Sequence, residues 1–359
     1  FNMEAADAPI IDVAAFLNDT EAREEECKKV VESLHKYGIL IMKDPRIQEQ
    51  DNEDYITLLE KYFETRGDQF YEGEELKEAR PEIHYQVGVT PEKVEKARNH
   101  CKRFEDYEGI NKPLSECPPE LDAKWRYFWH IGERPEDKKA IYENIVPGDI
   151  PDWEPKMNNW GNMMIDSCMT AAEMLAVGLG IDQDTFSSKM KLGPHLLAPT
   201  GSDLTKNDTG TVFAGVHYDL NFLTIHGKSR FPGLYIWLND GTKMSIKVPD
   251  GCLLIQSGIQ IEWMTGGFIK AGFHEVVYTD ATKENVQKRM EEDPNAHVWR
   301  VSSTLFSHIR HDQSLAPLEG IQDKWDEGAK EKYYDITSEE KTLEELKAIN
   351  LHADTQETT

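Results

Sequence analysis

The second half of the chain alternates short apolar runs with glycine-containing turns. Between residues 192 and 306 the apolar runs are a few residues long, and Pro-Gly, Asp-Gly and Gly-Gly pairs separate them. Short runs at this density predict the strands of a sandwich, jelly roll or barrel. The predicted strands are 211–218, 222–226, 233–238, 244–248, 251–257, 269–278 and 297–306. The charged stretch 281–293 interrupts them and is predicted to be helical.

Helical spacing of apolar residues dominates the region before these strands. Residues 9–42 predict a strand, a helix that ends at Gly38, and a second, buried strand. Residues 111–157 are rich in proline and aromatic residues and are predicted to be irregular. Further helices are predicted over 52–64, 91–106 and 158–179.

The net charge narrows the classes of function. The 359 residues include 40 Lys and Arg against 66 Asp and Glu, a net charge of −26. Such a chain has no surplus of cations to replace the counterions of nucleic acid, and anionic membranes repel it. We therefore predict neither nucleic acid nor membrane as a partner. The acidic surplus is interpreted as a solvated surface, with a cationic substrate as the alternative.

The cysteines indicate a reducing environment. Cys27, Cys101, Cys117, Cys168 and Cys252 are odd in number and irregularly spaced, with no CxxC pair, which argues against a disulfide framework or a zinc ribbon. No run approaches the roughly 20 apolar residues of a transmembrane helix. The first residues lack the basic and apolar regions of a signal peptide. We expect a cytoplasmic protein and, by default, a monomer.

Candidate chemistry is concentrated at the end of one predicted strand. His217 and Asp219 are two residues apart, so their side chains share a face of the strand and can offer a nitrogen and an oxygen to one ion. His274 lies in another predicted strand and can supply a third ligand. Two histidines and one carboxylate leave three coordination positions open, which is the facial triad that suits Fe(II).

A second pattern lies in the last predicted strand. Arg300 and Ser302 share a face for the same reason and offer a guanidinium and a hydroxyl. A guanidinium inside a barrel needs a partner, because burying it alone is costly. A small dicarboxylate bound bidentately would be such a partner, with the hydroxyl as a further donor. A structural salt bridge to one of the 66 acidic residues is the alternative.

The order of these residues resembles the isopenicillin N synthase-like family of non-haem Fe(II), 2-oxoglutarate-dependent dioxygenases. Between the two histidines the resemblance includes Leu223-Thr224, Pro232-Gly233-Leu234 and Thr265-Gly266-Gly267. It covers roughly residues 9–45 and 158–345. Outside the site it is carried by Pro9-Ile10-Ile11-Asp12, Tyr37-Gly38-Ile39-Leu40, Gly178-Leu179-Gly180 and Tyr334-Asp335-Ile336-Thr337.

The resemblance implies a mainly β fold with flanking helices and a double-stranded β-helix (jelly-roll) core. It implies His217, Asp219 and His274 as iron ligands, and Arg300 with Ser302 as the anchor for the distal carboxylate of 2-oxoglutarate. The cofactors implied are Fe(II), 2-oxoglutarate as co-substrate and O2, with ascorbate as a candidate reductant. The reaction implied is hydroxylation, desaturation or cyclisation of a small organic substrate, with release of succinate and CO2.

Three regions are predicted along the chain. Residues 1–110 form an N-terminal α/β region that packs on the core, and residues 111–318 form the jelly-roll catalytic core, which includes the long helix over 158–179. Residues 319–359 form a C-terminal helical tail, in which Thr337 and Glu340 make a capping box.

Two alternative functions stay open. The family usually carries Asn-x-Tyr-Pro before the strand with the HxD pair, whereas this chain has His195-Leu196-Leu197-Ala198-Pro199-Thr200. An iron oxidase of the same fold that does not use 2-oxoglutarate is therefore one alternative, and a non-catalytic barrel that binds a ligand is the other. Arg289 competes with Arg300 for the anchor role but lacks the RxS pattern.

Several other residues have predicted places. His195 and Trp129 are predicted to line the substrate pocket, as is His130 beside Trp129. His226 is predicted to be a structural or surface histidine, because its neighbours on the same strand face offer no second metal ligand. His308 follows the last predicted strand and is predicted to lie in a surface loop.

Overall fold

The structure, a computed structural model, describes residues 7–136 and 142–348. Its strands are β1 (Ile10–Asp12), β2 (Ile39–Lys43), β3 (Gly88–Thr90), β4 (Trp125–His130), β5 (Leu196–Leu197), β6 (Thr200–Asp203), β7 (Val212–His217), β8 (Leu223–Gly227), β9 (Leu234–Trp237), β10 (Lys243–Ser245), β11 (Leu253–Ser257), β12 (His274–Val277), β13 (Trp299–Ser302) and β14 (Leu305–Ser307). Its α-helices are α1 (Val13–Leu17), α2 (Arg23–Tyr37), α3 (Glu49–Tyr71), α4 (Trp153–Leu179), α5 (Ser187–Met190), α6 (Ile259–Met264), α7 (Asp280–Glu292), α8 (Ala329–Lys332) and α9 (Ser338–Ala348).

The strands form two sheets that face each other. The larger sheet has the order β1-β2-β11-β8-β14-β5-β4-β6-β13, with β3 paired to β4, and the smaller has the order β10-β9-β12-β7. Ile39 and Leu254 of the larger sheet pack in one apolar cluster with Leu234 and Ile236 of the smaller sheet. Neither sheet closes on itself. The predicted jelly-roll core with flanking helices is confirmed.

Helices cover the outer face of the larger sheet. The apolar side of α2, which includes Cys27 and Leu34, is buried and packs along α4. Acidic residues occupy the first turn of α2, where they interact favourably with the helix dipole. Gly38 ends the helix with a φ of 65°, the left-handed conformation that glycine adopts without strain.

Strand β4 separates the helix layer from the interior between the sheets. Its residues alternate between buried and half-buried along its length. Tyr127 and Trp129 belong to the apolar core shared with the helices, and Tyr127 packs edge-on against Trp153 of α4. Their strand neighbours Phe128 and His130 therefore point into the interior between the two sheets.

The outer face of the smaller sheet is covered by residues 93–123, which we call the cover segment. Ser115 donates hydrogen bonds from its backbone nitrogen and its hydroxyl to the buried carboxylate of Glu275, at 3.3 and 3.0 Å. Asp122 accepts a hydrogen bond from the backbone nitrogen of Gly215 at 2.8 Å. Buried polar groups on this face of the sheet therefore have partners in the cover segment.

One disulfide lies within the cover segment. It joins Cys101 to Cys117, whose Cα atoms are 5.6 Å apart. Cys27, Cys168 and Cys252 are buried free cysteines. The sequence argument against disulfides is wrong for this pair, because irregular spacing along the chain says nothing about which cysteines the fold brings together.

Two sequence predictions before β4 differ from the structure. Residues 91–106 contain no α-helix but turns and a short 3-10 helix at Cys101–Arg103. Near the start of the stretch the backbone bonds to another part of the cover segment: Lys93 N donates to Asp122 O at 2.9 Å, and Asp122 N donates to Glu95 O at 2.8 Å. The stretch 111–157, predicted to be irregular, contains β4. The alternation from Trp125 to His130 was the signal for that strand.

Each predicted strand of the β-rich half has a counterpart in the structure, but β5 and β6 are not among the predicted strands, and the predicted strand 244–248 is shorter, at Lys243–Ser245. The predicted strand 297–306 is divided into β13 and β14. Ser303 and Thr304 lie between the two strands, where the hydroxyl of Ser303 donates to Asn52 on α3 at 2.9 Å. The predicted strand 269–278 is shorter and begins at His274. The helical interruption is α7.

The C-terminal helix α9 packs beside the site. Its predicted capping box forms, since Thr337 Oγ1 accepts from Glu340 N at 3.2 Å and Glu340 accepts from Thr337 N at 2.9 Å. Glu345 of α9 is buried and accepts a hydrogen bond from the hydroxyl of Tyr218 at 3.0 Å. Residues 349–359 of the predicted tail lie outside the described residues. Within the described ranges, none of the helices has the length and apolar character that crossing a membrane requires.

Candidate active site

Three side chains of metal-ligating type converge where β7 ends and β12 begins. His217 is the last residue of β7 and lies directly opposite His274, the first residue of β12. Asp219 Oδ1 is 3.6 Å from His217 Nε2 and 3.9 Å from His274 Nε2. One ligand atom from each of the three residues lies within 4.8 Å of the others. The structure therefore brings together the predicted His-Asp-His set around a space for one ion.

Backbone carbonyls fix both imidazole rings in the same tautomer. His217 Nδ1 lies 2.7 Å from the carbonyl oxygen of Gly215, and His274 Nδ1 lies 3.0 Å from that of Gly272. Because a carbonyl only accepts, each Nδ1 carries the proton and each Nε2 keeps a free lone pair. The two lone pairs and the carboxylate form a donor set that suits a divalent transition metal.

The carboxylate of Asp219 is held from the opposite side. The hydroxyl of Thr224 donates to Asp219 Oδ2 at 2.6 Å, which leaves Oδ1 facing the two histidines. Burial alone would raise the pKa of Asp219, but His274, His217 and the Thr224 hydroxyl outweigh it and hold the pKa below its ordinary value. Burial and the neighbouring His274 lower the pKa of His217 to about 3, so its imidazole is neutral near pH 7.

Arg300 is a buried guanidinium without an anionic partner. It is 8% exposed, and its Nε donates to the carbonyl oxygen of Pro232 at 3.1 Å. Within the described ranges no carboxylate forms an ion pair with it, so the predicted alternative of a structural salt bridge is not observed. Burial lowers the pKa of Arg300 to about 10, so the group is still charged at neutral pH. A charge buried in this way fits a bound oxyanion.

The turn that orients Arg300 depends on Gly233. Its φ is 129°, and a Cβ there would lie 2.3 Å from the carbonyl oxygen of Val277. Only glycine fits this close approach, which places the carbonyl of Pro232 against Arg300 Nε. The Pro-Gly pair that the sequence marks as a turn thus also positions the guanidinium.

Ser302 lies on the same strand face as Arg300, as predicted. Its hydroxyl is half-buried and lies 2.7 Å from the hydroxyl of Thr304. Arg289, the competing anchor, is engaged elsewhere: its Nε donates to His297 O at 3.0 Å and its Nη2 is 3.5 Å from Glu60. Arg300 is therefore the better placed of the two to meet an anion in the interior.

The structure excludes the surface interpretation of His226 and is consistent with the structural one. His226 is buried on β8, two residues after Thr224, so both side chains point to the same interior face. Burial lowers the pKa of His226 to about 4, and the charges of Arg300 and His274 act in the same direction. It therefore lies close to both predicted binding groups, and its i, i+2 relation to Thr224 was the signal available in the sequence.

Arg126 is a second interior residue that the sequence did not indicate. Its Nη2 forms a 2.7 Å ion pair with Glu95, and its guanidinium lies 5.1 Å from the centre of the Phe128 ring. Its positive charge contributes to the lowered pKa of Asp219, which places it near the three-residue site. The alternation in β4 would have found it had the strand been recognised.

The two predicted pocket residues lie in different layers. Trp129 is 1% exposed and donates from Nε1 to Asn158 of α4 at 2.9 Å, so it faces the helices and the pocket prediction for it is wrong. His195 is buried, and its Nδ1 accepts the backbone N–H of His308 at 3.1 Å. His308 is not a simple surface residue, because its Nδ1 is buried without a partner.

Fold and site together define a class. A two-sheet jelly roll carries two histidines and an aspartate at the end of its smaller sheet, together with a buried arginine that has no anionic partner among the described residues; this donor set suits a mononuclear transition-metal centre with open coordination positions. Sequence and structural matches show which known proteins the chain is similar to.

Residues 191–309 match the model of the 2OG-Fe(II) oxygenase superfamily. The chain is 25% identical over 205 residues to gibberellin 2-beta-dioxygenase of Phaseolus coccineus, covering 54% of this chain and 52% of that protein. It thus spans about half the length of this curated relative. Its fold resembles that of a 2OG-Fe(II) oxygenase family protein of Caulobacter crescentus (TM-score 0.70, 18% identity, 96% of this chain and 100% of that one).

A full-length protein of Neurospora crassa, solved in complex with alpha-KG, has the same fold (TM-score 0.70, 20% identity, 97% of this chain and 99% of that one). Residues 191–309, which carry the His-Asp-His set and Arg300, are thus similar to the 2OG-Fe(II) oxygenase superfamily, and the whole described chain shares the fold of the two solved structures. Its closer resemblance to the isopenicillin N synthase-like branch stays a prediction.

Proposed function

We propose that this protein is an Fe(II)- and 2-oxoglutarate-dependent dioxygenase that oxidises a small organic molecule. In this proposal His217, Asp219 and His274 hold the iron, and Arg300 with Ser302 holds the distal carboxylate of 2-oxoglutarate. The observation that carries the proposal is the pair of imidazoles with free Nε2 atoms beside Asp219 Oδ1. The match of residues 191–309 to the 2OG-Fe(II) oxygenase superfamily supports the choice of iron.

Bound Fe(II), with 2-oxoglutarate and O2, would supply the oxidising chemistry. In the hydroxylation outcome R–H, 2-oxoglutarate and O2 give R–OH, succinate and CO2, so one oxygen atom enters each organic product. Three protein ligands leave positions for the 2-oxo acid and O2. The protein's own task is to bind, to orient and to keep water from the reacting atoms.

Each residue has a defined part in this task. The carbonyls of Gly215 and Gly272 keep the two imidazoles in the ligand tautomer, and Thr224 fixes the carboxylate of Asp219. Arg300 supplies a fixed positive charge, which an acidic co-substrate would neutralise. Because no carboxylate among the described residues pairs with Arg300, the site favours the 2-oxoglutarate-dependent reaction over an oxidase that draws all its electrons from the substrate.

The test is anaerobic titration of the metal-free protein with Fe(II) and then 2-oxoglutarate, followed through the weak visible charge-transfer band of the chelate. We expect iron to bind and the band to appear, and succinate to form when O2 is admitted with a substrate. His217→Ala should bind no iron, whereas His35→Ala, at an exposed position, serves as the matched control.

The other outcomes separate the alternatives. Iron binding without the band, together with oxygen consumption that yields no succinate, would contradict the use of 2-oxoglutarate and favour the oxidase. Absence of iron binding in a folded protein would contradict the metal assignment and leave a ligand-binding barrel.

We propose that the protein is cytoplasmic, and the state of its cysteines tests this location. Burial raises the pKa of Cys27 to about 11 and that of Cys168 to about 12, so these thiols are unreactive and suit a reducing compartment. The Cys101–Cys117 disulfide is more typical of an oxidising one. Alkylation of the protein in intact cells followed by mass spectrometry decides: a persistent disulfide at this pair would contradict the cytoplasmic location.

A further inference from the structure

Four inward-facing residues form a continuous row across the larger sheet. Thr224 on β8 lies directly opposite Phe306 on β14, Phe306 lies opposite Leu196 on β5, and Leu196 lies opposite His130 on β4. Their strand neighbours belong to the core on the helix side, so the row faces the interior. Three strand spacings of about 4.8 Å make it roughly 14 Å long.

The row begins at the candidate metal site formed by His217, Asp219 and His274. Thr224 at its first position donates to Asp219, one of the three proposed ligands. Phe306 and Leu196 in the middle are half-buried, so part of each side chain is open to the interior. An extended apolar group lying along these two side chains would have one end near the site.

The other end of the row carries an unneutralised cation. Arg134 donates from Nη2 to His130 Nδ1 at 3.2 Å and to the carbonyl oxygen of His195 at 3.4 Å. Both bonds use the same nitrogen, so the other edge of the guanidinium is available. In the part of the chain that the structure describes, no carboxylate pairs with Arg134.

A second unpartnered group lies beside this arginine. His308 Nδ1 is buried without a hydrogen-bond partner, while its backbone N–H is bound by His195. Ser307 accepts a hydrogen bond from the side chain of Asn221 at 3.1 Å, which places His308 beside the chain segment that carries Asp219. Beside the row, therefore, His308 Nδ1 has no hydrogen-bond partner and Arg134 has no anionic partner among the described residues.

Resting on the function proposed above, we propose that the substrate is an elongated organic monocarboxylate. Its carboxylate binds Arg134, its apolar body lies along Leu196 and Phe306, and the carbon that is oxidised lies at the Thr224 end of the row. His130 and His195 are positioning residues, because they orient Arg134 and the end of β14. The net charge of the chain is −26, so acidic residues are abundant, yet none of the described ones neutralises Arg134.

The test uses probes of known length on protein loaded anaerobically with Fe(II) and 2-oxoglutarate. Straight-chain alkanoates and ω-phenylalkanoates of increasing length are titrated by calorimetry, each against its matched primary amide. We expect affinity to rise with length until the molecule spans the row, and the best carboxylate to bind at least about tenfold more tightly than its amide.

Arg134→Gln should abolish the preference for carboxylate over amide while leaving the 2-oxoglutarate concentration that develops the chelate band unchanged. Arg134→Lys should restore part of the preference, because it keeps the charge but loses the two-nitrogen edge. Arg289→Gln is the matched control, since Arg289 is paired with Glu60 away from the row.

Two results would overturn the proposal. One is that no carboxylate binds more tightly than its amide although the chelate band forms normally. The other is that Arg134→Gln keeps the full preference. In both cases iron and 2-oxoglutarate binding are intact, so the proposed function survives. Loss of the band in the wild-type protein would instead contradict the proposed function itself.

Discussion

The interior holds two groups of buried or half-buried histidines that use Nδ1 in opposite ways, one as a donor and the other as an acceptor. In the metal-type group, His217 and His274 donate from Nδ1 to backbone carbonyls and direct Nε2 towards Asp219. In the cationic group, His195 accepts a backbone N–H at Nδ1, and His130 faces Arg134 rather than a carboxylate.

The difference shows that backbone partners decide what a buried histidine can do. A carbonyl at Nδ1 frees Nε2 as a metal ligand, whereas a backbone N–H at Nδ1 leaves the proton on Nε2. The first group also has a carboxylate to balance a cation, and the second has an arginine that would repel one. Two clusters of the same residue type therefore suit opposite ligands, a metal ion and an anion.

The comparison is tested most directly by removing one histidine from each group. His217→Ala should abolish iron binding and turnover, a larger loss than the about 10- to 100-fold that follows from removing a supporting hydrogen bond. His195→Ala should bind iron with unchanged stoichiometry, because its ring is not directed at the site. Iron content after anaerobic reconstitution is the measurement. Loss of iron in both variants would contradict the assignment of metal binding to the His217 and His274 group alone.

Arg300 and Arg289 provide the next contrast. Arg300→Gln removes the unpaired charge and should raise the 2-oxoglutarate concentration for half-development of the chelate band roughly 100-fold. Arg289→Gln should leave it unchanged, since Arg289 already bonds to His297 and Glu60. Equal effects in the two variants would exclude Arg300 as the specific anchor.

Variants of Thr224 test how much its hydrogen bond to Asp219 contributes to iron binding. Thr224→Val keeps the shape of the side chain but removes the 2.6 Å hydrogen bond to Asp219, and should weaken iron binding about tenfold. Thr224→Ser keeps a hydroxyl and should retain most of the affinity. Competition with a chelator of known affinity measures both, and identical losses would point to packing rather than the hydrogen bond.

The last contrast concerns the stability in acid of the group formed by His130, His195 and Arg134. Burial and the charge of Arg134 lower the pKa of His195 from 6.5 to about 4, so below pH 6.5 the unfolded chain binds a proton that the folded chain does not. The free energy of unfolding should therefore fall as the pH drops, by about 1.5 kcal/mol from His195 alone between pH 6.5 and 5.

His195→Asn tests this linkage. Asparagine can still accept the N–H of His308 but does not titrate, so the variant should lose about 1.5 kcal/mol less than the wild type over that interval. Urea unfolding at each pH gives the two curves, which should run parallel between pH 7.5 and 8.5. Curves that stay parallel down to pH 5 would show that His195 does not carry the effect.

Much of the chemistry could be predicted from local spacing. His217 with Asp219, and Arg300 with Ser302, are separated by two residues on strands, and the period of a strand places such pairs on one face wherever the strand lies. The short apolar runs and their turns predicted a β-rich core, because apolar periodicity reflects burial on one or both faces. These inferences needed no contact between distant parts of the chain.

Only the tertiary structure decided which distant groups meet. Strand order places His130 three strands from Thr224, leaves Arg134 without a carboxylate among the described residues, and joins Cys101 to Cys117. It also turns Trp129 towards the helices and His226 towards the site. The physical reason is that sequence period fixes the face on which a side chain lies, while its neighbours across a sheet depend on non-local strand pairing.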